Sequence, residues 1–157
     1  MKVLFVCLGN ICRSPTAHAV FRHKVKEAGL KVETESAGTS ACHEGSKPDN
    51  RSVSVGKEKG YDFSRIFSRK VKPGDFGYYD LILAMDKDNQ ANLINICPSE
   101  FRHKVKLMLE FSNSFSDYEE VPDPYYGGGS GFKLVLELIE DASDGLIEHL
   151  KQENATA

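Results

Sequence analysis

The sequence predicts a single-domain α/β fold, a three-layer sandwich in which a four-stranded parallel sheet carries helices on both faces. Two observations lead there. Residues 3–6 and 81–85 are short, unbroken apolar runs, the pattern of strands buried on both sides. Such runs also alternate with helical stretches along the chain, which requires a parallel sheet with right-handed crossovers.

Taken in order, the first strand ends at Cys7 and Gly9-Asn10 marks a turn. Ser14 is expected to cap a helix whose first position is Pro15, where the missing N–H costs nothing. That helix runs to about Ala28, with Ala17, Phe21, Val25 and Ala28 on one stripe and Gly29 as its stop. Residues 30–35 alternate weakly and predict a second strand ending at Ser36-Ala37-Gly38-Thr39. Residues 39–50 read as a loop. Asp49 can cap a helix over residues 51–59, closed by Gly60 and weakened by Gly56.

Residues 63–77 are irregular and basic, and the cluster from Arg65 to Lys72 reads as solvated surface. Residues 80–85 form the third strand, with Asp86 just past its end. Asp88 opens a helix carrying Ala91, Leu93, Ile94 and Ile96, stopped before Pro98. Residues 105–111 are read as the fourth strand, and residues 112–131 as a long polar segment. A last helix over residues 132–151 buries Phe132, Val135, Leu136, Ile139, Ala142, Leu146 and Leu150, and the last few residues read as disordered.

Composition narrows the function. The 157 residues suit one domain, and 40% apolar with 27% charged residues is ordinary for a globular protein. A net charge of −3 argues against nucleic acid or anionic membrane as the main partner. No stretch approaches the roughly 20 apolar residues needed to span a bilayer, and the first residues do not read as a signal peptide. Cys7, Cys12, Cys42 and Cys97 form no zinc-knuckle pair, so free thiols in a reducing, cytoplasmic setting and no metal are expected.

The chemistry concentrates at the first loop. A strand, a tight turn and a helix N-terminus make a cradle for a phosphate-sized anion. Cys7 faces the same positive field, which favours its thiolate. Arg13 brings a planar fork that matches two phosphoryl oxygens. A nucleophilic sulfur at the bottom of such a cradle points to phosphoryl transfer onto cysteine. The leaving oxygen then needs a proton, and the best donor is Asp123, held between Pro122 and Pro124 and followed by Tyr125 and Tyr126. In parallel sheets ligands bind beyond the carboxyl ends of the strands, so Cys7, Ser36, Asp86 and the segment after Phe111 can share one cleft. Asp86 either caps the sheet edge or hydrogen-bonds near the loop. His18 and His103 are read as bland.

Two stretches together, Val-Cys-Leu-Gly-Asn-Ile-Cys-Arg-Ser-Pro from Val6 and Asp-Pro-Tyr-Tyr from Asp123, resemble the low-molecular-weight protein tyrosine phosphatases. The likeness covers essentially all of residues 1–157, including Ser-Ala-Gly-Thr at Ser36 and Met-Asp at Met85. It implies a flavodoxin-like strand order and hydrolysis of phosphotyrosine and small aryl phosphates through a phosphocysteine. Cys7 would be the nucleophile, Arg13 the phosphate-binding and transition-state residue, and Asp123 the general acid and base. Leu8, Gly9, Asn10, Ile11, Cys12 and Ser14 would complete the phosphate loop, with Ser36 behind it.

The resemblance further implies a reversible disulfide between Cys12 and Cys7 and no cofactor. It makes phosphotyrosine proteins the partners and inorganic phosphate a product and competing ligand, with the protein a monomer or weak dimer. Tyr125 and Tyr126 would wall the pocket with Cys42 and His43, which stand where the family usually has an aromatic residue. No histidine near Ser64-Arg65 matches the one that orients the loop in some members.

Related activities remain in view. Arsenate reductases share fold and loop but use further cysteines after the third strand, where this chain offers Cys97. Protein-arginine phosphatases carry threonine where this loop has Ile11. A phosphocarrier would need neither Arg13 nor Asp123, and a binding-only relative would turn over no aryl phosphate.

Overall fold

Along the first strand, Val3, Phe5 and Cys7 face one layer while Leu4 and Val6 face the other, all of them buried. This period-two alternation with apolar residues on both sides puts the strand in the centre of a sheet. The computed structural model describes residues 1–40, 42–115, 117–124 and 129–156. Its strands β1 (Lys2–Cys7), β2 (Glu33–Gly38), β3 (Leu81–Ala84) and β4 (Val105–Leu107) are all parallel, in the order β2-β1-β3-β4. That is the order the resemblance implied.

Helices α1 (Arg13–Glu27), α2 (Asn50–Glu58) and α5 (Gly129–Thr156) cover one face, and α3 (Asp75–Tyr78) and α4 (Lys87–Ile96) the other. Phe5 meets Phe21 of α1 edge-on, with ring centroids 5.5 Å apart. Burying one such ring contributes on the order of 2–3 kcal/mol. The opposite layer packs Leu4, Val6, Ile82 and Ala84 against Phe76, Tyr79 and Leu93.

Several boundaries differ from those expected. Helix α1 begins at Arg13 with Cys12 as its cap residue, so Ser14 is not the cap and Pro15 sits third in the helix. Proline is harmless there because no N–H of the first turn has a partner within the helix. Ser14 is thereby released for other bonds. Strand β2 starts later and runs through Ser36, Ala37 and Gly38, since residues 28–30 are spent closing α1 around Gly29, whose φ is +70°. Helix α2 tolerates Gly56 because the Phe63 ring lies where a side chain would go.

The fourth strand stops at Leu107. The chain then makes a 3-10 turn over Met108–Phe111, which buries Met108 and Leu109 in the α1/α5 layer. Helix α5 extends from Gly129 to Thr156, longer at both ends than its apolar stripe suggested.

Candidate active site

Cys7 ends β1 and pairs with Gly38, the end of β2. The following loop turns back sharply at Asn10, whose φ of 56° lies in the left-handed region. The Asn10 side chain, 1% exposed, donates from Nδ2 to Ser14 Oγ at 2.7 Å. Its Oδ1 accepts from the Arg69 backbone N–H at 3.0 Å. Ser14 Oγ lies 3.0 Å from Cys7 Sγ and 3.3 Å from the Ala37 carbonyl. One hydroxyl proton serves one acceptor at a time, so an ionised Cys7 draws it to sulfur.

The outer side of the loop is equally tied. Ser40 N donates to the Leu8 carbonyl, and Asp49 N to the Ile11 carbonyl. Ser68 Oγ donates to the Gly9 carbonyl at 2.9 Å. Where the loop crosses β2, a Cβ on Gly38 would stand 2.7 Å from the Leu8 carbonyl oxygen, so only glycine admits the approach. Support from residues 68–69 is supplied by a hydroxyl and a backbone N–H, with no histidine involved.

Arg13, the first residue of α1, is 2% exposed. Its Nη1 donates to Asp86 Oδ2 at 2.6 Å and to the Val121 carbonyl at 3.0 Å, and its Nη2 lies 3.6 Å from Asp123 Oδ2. Of the two roles the sequence left open, Asp86 takes the hydrogen bond near the loop, and what it caps is a helix rather than the sheet edge. Its Oδ1 caps α4 by accepting from Asn89 N, while Oδ2 holds the arginine. Val121 N donates to the Met85 carbonyl, which fastens the Asp123 segment to the end of β3.

Cys7, Leu8, Gly9, Ile11, Cys12, Arg13, Cys42, His43 and Asp123 line one pocket of about 100 Å³. The lining thus comes from the end of β1, the loop and helix start that follow it, the loop after β2 and the segment carrying Asp123. Tyr125 and Tyr126 lie outside the described residues. Ser36 sits within β2, two residues before its end, and its Oγ meets His18 Nδ1 at 3.0 Å. The contact from β2 to the loop is made instead by the Ala37 carbonyl.

Burial, then the charges of Asp49 and Cys7, push the Cys12 thiol up to about 12. Burial, reinforced by Arg22, pushes His18 down to about 4, so it is a neutral hydrogen-bonding group. Among the described residues no cluster of three or more His, Cys, Asp or Glu could hold a metal ion. Among them, too, no helix is long and apolar enough to cross a membrane.

His18, Ser68 and Arg69 were not singled out from the sequence. His18 carries a faint signal, a polar residue on the buried side of an amphipathic helix. Ser68 and Arg69 carry none, since Arg69 acts on Asn10 through its backbone.

Comparison with known proteins places the chain in a family. The sequence model of the family described as "Low molecular weight phosphotyrosine protein phosphatase" matches residues 2–156. A Synechocystis relative, which bears that family's name, is 46% identical over 98% of both chains. A Schizosaccharomyces pombe low molecular weight phosphotyrosine protein phosphatase is 44% identical over 96% of this chain and 97% of its own. The crystal structure of an Entamoeba histolytica protein tyrosine phosphatase superposes with a TM-score of 0.94 at 44% identity, covering 98% of this chain and 99% of that one.

Proposed function

Because the chain belongs to the low molecular weight protein tyrosine phosphatase family, we propose that it hydrolyses phosphotyrosine in proteins, and small aryl phosphates, through a phosphocysteine. The observation that carries this reading is that Cys7, Arg13 and Asp123 line one pocket, with Arg13 pinned between Asp86 and Val121 beside Asp123.

In the first step the Cys7 thiolate attacks phosphorus. The S–P bond forms as the P–O bond to the phenol breaks, and Asp123 gives its proton to the departing phenoxide. The loop N–H groups and the Arg13 fork receive the oxygens whose charge grows in the transition state. Ser14 is placed to donate to the Cys7 sulfur, which stabilises the thiolate both as attacking group and as leaving group. In the second step Asp123 takes a proton from water as that water attacks phosphorus, and Cys7 leaves as thiolate with inorganic phosphate released. Sulfur supplies the nucleophile, arginine the charge and aspartate the proton, so the cycle calls for no cofactor. Leu8, Gly9, Ile11 and Cys12 contribute loop backbone, while Cys42 and His43 form a side wall in place of an aromatic one.

The proposal extends to one catalytic domain over residues 1–157, a cytoplasmic setting, a monomer or weak dimer, and inorganic phosphate as a competing ligand. Under oxidation Cys12 is the partner for Cys7.

The test is hydrolysis of para-nitrophenyl phosphate with a chelator present, beside phosphotyrosine, phosphoserine and phosphoarginine peptides. Turnover of the aryl esters, lost in Cys7→Ser while phosphate still binds, is the expected result. Aryl turnover retained by Cys7→Ser removes Cys7 as nucleophile. Preference for phosphoarginine, or thiol-dependent reduction of arsenate without aryl turnover, hands the site to another activity on the same fold.

A further inference from the structure

Beside the pocket lies a larger groove, about 350 Å³, whose walls include Lys47, Lys57, Arg65 and Phe67. Its charge is one-sided. Among the described residues no carboxylate comes within ion-pair distance of Lys47 or Lys57. The one acid in its lining, Asp62, is held by the Ser64 N–H and hydroxyl and lies in the field of Arg22 and Arg65. Phe67, 53% exposed, adds an apolar surface that the fold leaves uncovered.

Groove and pocket are parts of one surface. Cys42 and His43 line the pocket, while Lys47 and Pro48, a few residues on in the same loop, line the groove. Four residues span at most roughly 14 Å. Ser68 locks the two together. Its N–H donates to the Ser46 carbonyl at 2.8 Å, its carbonyl accepts from Gly45 N at 2.7 Å, and its hydroxyl holds Gly9 of the phosphate loop.

We propose that this groove docks an acidic stretch of the phosphotyrosine substrate, its carboxylates within about four residues of the phosphotyrosine and meeting Lys47 and Lys57, with an apolar side chain on Phe67. The proposal rests on the phosphatase reading above. The chain as a whole is acidic, at −3, so a localised pair of free lysines beside an aromatic selects a short acidic segment rather than a long polyanion.

The test compares kcat/KM for phosphotyrosine peptides carrying glutamates within four positions on either side with their glutamine counterparts, and runs para-nitrophenyl phosphate alongside. The glutamate peptides should be favoured about three- to tenfold at low salt, the range exposed ion pairs supply. The advantage should shrink at about 0.5 M salt. It should vanish in the double variant Lys47→Glu, Lys57→Glu, with para-nitrophenyl phosphate turnover unchanged.

Equal kcat/KM for the two peptide sets, with para-nitrophenyl phosphate still turned over, overturns the groove and leaves the phosphatase reading standing. So does a preference that survives the double variant. Absence of para-nitrophenyl phosphate turnover by the unmodified enzyme overturns the phosphatase reading and the groove with it.

Discussion

Lowering the pH from about 7.5 to about 5 should cost the fold roughly 2 kcal/mol through His18 alone. Burial and the charge of Arg22 push this imidazole down to about 4 in the folded chain, against about 6.5 when exposed. Glu35, 3.7 Å from the ring, does not offset those two effects. A group whose folded value is depressed takes up its proton in the unfolded chain first. Its contribution is therefore complete above about pH 6.5 and drains away as pH falls toward 4. At about pH 5 the unfolded histidine is almost wholly protonated and the folded one about a tenth, which corresponds to roughly 2 kcal/mol. Urea unfolding of the unmodified protein and of His18→Gln at both pH values reads this directly. The glutamine amide can still meet Ser36 but does not titrate, so the variant should lose roughly 2 kcal/mol less over the interval. Carboxylates such as Asp141, held by Ser112, Asn113 and Ser114, weaken both proteins alike and cancel. Equal losses in the two proteins would refute a neutral, buried His18.

Other perturbations separate chemistry from scaffolding. Asp86→Asn keeps an oxygen to cap α4 but removes the charge from Arg13. Steady-state kinetics should show kcat/KM lowered roughly tenfold to a hundredfold, with urea stability little changed. Asp123→Asn should slow esters with poor leaving groups far more than those with good ones in a leaving-group series, and equal slowing would count against its role as acid. Gly145→Ala would set a Cβ 1.7 Å from the Phe111 carbonyl oxygen, so urea unfolding should show a loss of at least about 2 kcal/mol. Peroxide should convert Cys7 to a sulfenic acid that Cys12 then attacks, releasing water. With the Cys12 thiol at about 12, the linkage seen by mass spectrometry should form faster as pH rises.

The parts of the fold legible in the sequence were those with unbroken patterning. Residues 3–6 and 82–85, buried on both faces, left no other reading, and the α5 stripe named its own buried side. The fourth strand was overextended because Met108 and Leu109 continue its apolar run, yet they are buried by a 3-10 turn under α5. Apolar content reports burial, and burial does not distinguish strand from turn over four residues.

The site divides in the same manner. Cys7, Arg13 and Asp123, which the fold brings to one pocket, could be nominated from the sequence because side-chain chemistry announces itself. Asp86 was found as a residue but not as a role, since its partner lies 73 positions away. Ser14 looked like a cap because Ser-Pro commonly is one. The helix begins before it, and its hydroxyl turns inward to the sulfur. Supports made through backbone atoms, the Ala37 and Val121 carbonyls and the Arg69 N–H, carry no residue identity that a sequence could display.

Asn10 shows what such a loop asks of a single position. The site requires a left-handed backbone, a donor toward Ser14 and an acceptor toward Arg69 N, all in a residue 1% exposed. Aspartate would accept the left-handed turn but, ionised, offers no donor. Glycine would take the turn with no side chain at all. Glutamine has both amide functions, one methylene too far out. Of these four asparagine alone meets the three demands together, so one position carries the turn and both anchors of the loop at once.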